Sequence, residues 1–97
     1  MPDPIELPKK LRTRGWKVKI FSRERLEPPH LTLICRDRVW RVGLRDGEFM
    51  VPPGGRWREI DPNLRAILEK HWKVLCDFWD ELHPENRVWG HEEEHDD

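Results

Sequence analysis

The chain has 97 residues, of which 38% are charged and 36% apolar, with six Trp, three Phe and two Cys. Its formal net charge of −1 hides a polarity: residues 9–45 hold twelve Lys/Arg against three acidic residues, a formal +9, while residues 46–97 hold six against fourteen, a formal −8. One domain is expected at this length, with no apolar run near the roughly 18 residues of a membrane span, no secretory segment after Met1, and too few cysteines for a secreted disulfide framework. A cytoplasmic protein is the resulting expectation. A basic surface attracts phosphate or an acidic protein whatever the total charge.

Pro2, Pro4 and Pro8 predict an extended N-terminal arm over residues 1–10, without helix. A single α+β domain is expected over 11–84 and an acidic flexible tail over 85–97. Gly15 opens a period-two run in which Trp16, Val18 and Ile20 point one way and Lys17, Lys19 and Phe21 the other, as in a half-buried strand. Ser22 to Pro29 reads as a polar connection. A second strand follows over Leu31 to Arg36, with Asp37 placed for a tight turn, and a third over Arg38 to Leu44. Asp46-Gly47 is a hairpin signal, so Glu48 to Val51 forms a short fourth strand before Pro52-Pro53-Gly54-Gly55 ends the pairing.

Asp61 suits an N-cap, Pro62 the first helical position, and Pro84 stops the pattern after His83. Between them Leu64, Leu68, His71, Leu75, Phe78 and Leu82 recur at steps of three and four, flanked by Ile67, Trp72 and Trp79. One long C-terminal helix is predicted, packed on the Trp16/Val18/Ile20 face of a three- to four-stranded antiparallel sheet. Cys35 and Cys76 have no metal-binding spacing and are expected as reduced core thiols.

The order strand, Glu27-Pro28-Pro29-His30, strand, strand, helix resembles a widespread bacterial family of small uncharacterised proteins with a Glu-Pro-Pro-His-x-His motif. The similarity runs over roughly Arg14 to Leu82, through Lys17 to Ser22, Glu27 to Leu33, Arg41 to Leu44 and the late Trp79. Thr32 stands where the family has its second His, and Arg41 at its basic position in the third strand. The resemblance implies a compact α+β domain, commonly encoded beside a second small protein in a toxin–antitoxin-like pair. A partner protein from a neighbouring gene is therefore expected.

Strand alternation places Lys17, Lys19, Arg36 and Arg41, with Phe21, on the sheet face opposite the helix. Such a face suits a partner protein, and RNA is a second candidate ligand that it could track by its backbone while a base stacks on Phe21. The simpler reading is the solvated side of an antiparallel sheet. The acidic tail is a candidate internal competitor for the same surface. His30, fixed by Pro28-Pro29, is the candidate general acid or base of a metal-independent ribonuclease, with Arg41 and Lys19 stabilising the phosphorane. The simpler role for His30 is a structural hydrogen bond.

His91-Glu92-Glu93-Glu94-His95 matches the zincin pattern H-E-x-x-H, but a stretch beside the C-terminus without an apolar face does not supply the buried helix and third ligand that zinc catalysis needs. No metal site is therefore expected. His71 falls in the apolar stripe and reads as a core or boundary residue. Gly54-Gly55 lacks the following Lys and helix of a phosphate loop, and no cofactor is implied.

Overall fold

The computed structural model describes residues 3–23 and 27–89. Its elements are α1 (Lys9–Thr13), β1 (Trp16–Lys19), β2 (His30–Cys35), β3 (Arg38–Gly43), β4 (Phe49–Val51), α2 (Pro62–Lys70) and α3 (Trp72–Leu82), with a short 3-10 turn at Trp57–Glu59 before α2. This is an α+β fold.

The first departure from expectation is α1, which begins inside the segment whose prolines predicted an arm without helix. Pro8 sits at its N-cap with φ −59°, and its carbonyl accepts from the backbone N–H groups of Leu11 and Arg12. Leu7 and Leu11 are both buried and hold this turn to the core. Gly15 ends it at φ +95°, where a side chain would be strained and a Cβ would also press on Arg36.

The four strands form an antiparallel meander in the order β1-β2-β3-β4. Trp16 lies opposite Cys35, Val18 opposite Leu33, Leu33 opposite Trp40, and Leu31 opposite Val42. These residues line one face, and their large side chains are buried with Leu64, Leu68, Leu75 and Trp79 of the helices in one hydrophobic cluster. Burying each such Leu removes enough apolar surface from water to contribute about 2 kcal/mol. Trp16 and Trp40 stack at 5.5 Å within that layer. Arg36 and Asp37 make the two-residue turn between β2 and β3, with Arg36 at φ 58°. Gly47, at φ 71°, serves the return into β4, and the Asp46 carboxylate accepts from the backbone N–H of Glu48.

The predicted single long helix is two helices. Asp61 does cap the first, accepting from the Asn63 backbone N–H at 2.8 Å, and Pro62 opens it. His71, at φ −108° and ψ 20°, then separates α2 from α3. The apolar stripe continues through this break, since Leu64 and Leu68 are buried before it and Leu75, Cys76 and Trp79 after it. Beyond the break, the Trp72 indole N–H donates to the Leu44 carbonyl at 3.0 Å and that of Trp79 to the Asn86 carbonyl at 2.7 Å.

The segment after Pro84 also differs from the expected free tail. Val88 is fully buried, and its backbone N–H donates to the Asp80 carboxylate at 2.7 Å. Arg45 donates to the carbonyls of Val88 and Arg87, and the Asn86 amide donates to the Glu27 carbonyl. Residues 85–89 therefore belong to the packed domain, because one apolar side chain and a set of backbone acceptors anchor them. The remainder of the expected acidic tail, residues 90–97, with the His91-Glu92-Glu93-Glu94-His95 segment, lies outside the described residues, as do residues 24–26 of the polar connection. Among the described residues no helix is long and apolar enough to cross a membrane.

Candidate binding surface

Strand register brings the candidate face together as two cross-strand rows. Lys17 lies opposite Ile34, and Ile34 opposite Val39; one step along, Lys19 lies opposite Thr32, Thr32 opposite Arg41, and Arg41 opposite Val51. The rows differ in how their cations are satisfied. Lys19 is paired with Asp3, and the Arg41 guanidinium is 3.7 Å from the Glu27 carboxylate. Lys17 makes no ion pair among the described residues, and Val39 at the other end of its row is 44% exposed.

Two of the expected face residues lie outside the strands. Arg36 occupies the β2–β3 turn, where its backbone is left-handed and its side chain approaches Gly15, so it does not continue the strand alternation. Phe21 follows the end of β1, 37% exposed, and its carbonyl accepts from the buried His83. Sequence reasoning missed the acids that neutralise the second row, Asp3 and Glu27, since both are remote in sequence from the cations they meet. It also passed over the cations of α1, Lys9, Lys10 and Arg12, which make no ion pair among the described residues.

His30 and Arg41 share the same face by register, as diagonal neighbours across β2 and β3. His30 is nevertheless enclosed, at 1% exposure, with its ring 5.4 Å from that of Trp79. Its Nδ1 is 2.9 Å from the Pro28 carbonyl; since that oxygen can only accept, Nδ1 carries the hydrogen and donates. The Pro28-Pro29 pair thus presents a carbonyl that fixes the ring inward. A general acid or base must reach its substrate's proton within hydrogen-bond distance, directly or through one water.

Ionisation elsewhere supports the frame around this face. Asp61, which accepts the Asn63 N–H and pairs with Arg14 at 2.8 Å, has its carboxyl held below the ordinary range, first by the backbone hydrogen bond and then by the guanidinium. Glu59 is lowered too, chiefly by the Arg56 backbone N–H, with help from Arg38, 3.6 Å away. Burial, reinforced by Asp80 and Asp77, pushes the Cys76 thiol up to about 11. Both cysteines are free thiols, Cys35 half-buried in β2 and Cys76 buried in α3. Among the described residues no three His, Cys, Asp or Glu side chains group as metal ligands.

No family model, curated protein or solved structure matches this chain.

Proposed function

We propose that this chain is a protein-binding module, one half of a two-protein pair of the toxin–antitoxin-like kind, which holds its partner on the open sheet face around Lys17, Ile34 and Val39. One observation carries this reading. The row unites an exposed valine, a half-buried isoleucine and a lysine without an acid partner among the described residues, while the cations of the next row already face Asp3 and Glu27. An apolar patch beside uncompensated positive charge suits a protein with an apolar patch and an acidic rim. Tracking a nucleic-acid backbone would favour uncompensated cations along the whole face, and RNA is the weaker candidate for that reason. The pairing with a neighbouring gene product rests on the resemblance carried by Glu27-Pro28-Pro29-His30, and the cytoplasm is its natural setting.

Co-expression with the adjacent gene product tests the proposal. The wild-type chain should retain that product on an affinity resin, and a folded Lys17→Glu/Val39→Asp double variant should lose it. Retention by neither protein, or by both equally, would remove the reading. A mobility shift of RNA at low salt that survives the double variant would instead favour nucleic acid. The ribonuclease reading with His30 and Arg41 gains no support from an imidazole turned toward Pro28 and Trp79. RNA cleavage abolished by a folded His30→Ala variant would restore it.

A further inference from the structure

Strand β1 is an edge of the sheet, paired with β2 on one side only. Along its other side runs a cleft of about 750 Å³. One wall is formed by Trp16 to Lys19 in succession, the other by Asp3 to Leu7, with Arg12 also lining it. Side chains of a strand alternate between faces, so a cleft that touches four consecutive residues follows the backbone edge and not either face. Among the described residues no hydrogen bond joins the backbones of the two walls; the Lys19–Asp3 ion pair spans them, and Leu7 shares the buried cluster with Trp16 and Val18.

We propose that this edge receives an extended segment of the partner protein as a fifth strand, and that the segment alternates acidic and apolar residues. The inference rests on the protein-partner reading above and names the chemistry of that partner. An added strand inherits the parity of the strand it joins. Its residues beside Trp16 and Val18 fall on the core side, near Leu7, where apolar side chains extend the buried layer. Residues beside Lys17 and Lys19 fall on the outer side, where a carboxylate meets Lys17, which has no ion pair among the described residues, and can replace Asp3 on Lys19. Lysines on an edge strand oppose pairing with basic or apolar strands and leave an acidic one favoured. Main-chain hydrogen bonds supply affinity in this mode, and alternation of side chains supplies selectivity.

The test uses the full chain, labelled with 15N, and a synthetic ten-residue peptide that alternates Glu and Val. Saturating peptide should slow amide exchange at the cleft-facing residues among Trp16 to Lys19 by at least tenfold and shift the resonances of Asp3 to Leu7. A peptide N-methylated at every second residue, on the strand edge that would face β1, should lose binding, and Lys17→Glu should weaken the unmodified peptide about tenfold. Unchanged exchange along β1, or equal binding of the N-methylated peptide, would overturn the proposal. Shifts confined to Ile34 and Val39 would also overturn it and leave the face reading in place. That reading fails separately, when the neighbouring gene product is not retained by the wild-type chain.

Discussion

His83 Nε2 donates to the carbonyl oxygen of Phe21 at 2.9 Å, joining the end of α3 to the end of β1. The imidazole is fully buried and lies 3.9 Å from the Trp79 ring. His83→Ala removes that hydrogen bond and leaves a cavity against Trp79, a combined cost of about 3 kcal/mol. Urea unfolding should show this as a lower midpoint with unchanged slope. A midpoint within error of the wild type would contradict the anchoring role.

Asp61 joins α2 to the α1–β1 junction through Arg14, and Asp61→Ala should cost about 1 kcal/mol at neutral pH from the lost cap. The folded carboxyls of Asp61 and Glu59 are lowered from 3.8 and 4.5. Their stabilisation is therefore present above those ordinary values and is lost as pH falls through the lower folded ones. Chemical denaturation between pH 5 and pH 2 should show a shallower loss of stability in Asp61→Asn than in the wild type, since Asn keeps the cap without titrating. Parallel curves would contradict the assignment to Asp61.

The two thiols should react at different rates. Cys76 is buried with its thiol raised to about 11, whereas Cys35 is half-buried and placed 3.6 Å from the Arg14 carbonyl. At pH 8 an aromatic disulfide reagent should modify Cys35 in the folded protein and Cys76 only on unfolding. Mass analysis after partial labelling reads the order, and early modification of Cys76 would contradict its burial.

Truncation after Pro84 removes the fully buried Val88 and the acceptors of Trp79 and Arg45. Its cost should reach several kcal/mol, lowering the thermal midpoint by more than about 10 °C. Truncation after Trp89 preserves every contact described for this segment and should leave the midpoint within about 3 °C of the full chain. Equal midpoints for both truncations would contradict the packing of residues 85–89.

Much of this fold was legible in the chain because local patterns agreed with the tertiary structure. Alternation from Trp16 to Lys19 gave the faces of β1, Asp46-Gly47 marked the return into β4, and Asp61-Pro62 marked the start of α2, whereas in β2 Thr32, expected on the open face, is buried like Leu31 and Leu33. The break at His71 was not legible: no Gly or Pro stands there, and the apolar stripe runs through it. The three early prolines obscured α1, whose real signals were Pro8 at the start, the Leu7/Leu11 pair and Gly15 at the end. Strand parity found Lys17, Lys19 and Arg41, but their unequal neutralisation depends on Asp3 and Glu27, contacts between distant residues that no local pattern encodes. Enclosure of His30 is of the same kind, because Trp79 arrives from the other end of the chain.

In the proposed pairing the Lys17–Ile34–Val39 row, and not the basic segment as a whole, holds the partner. Titration calorimetry of the neighbouring gene product against Lys17→Gln, Val39→Asp, Arg36→Gln and Arg41→Gln tests it most directly. Lys17→Gln should weaken binding about fivefold, equivalent to about 1 kcal/mol, and Val39→Asp by tenfold or more, while Arg36→Gln and Arg41→Gln should stay within about twofold. An equal loss for all three cations with no effect of Val39→Asp would show attraction by diffuse charge alone and contradict it.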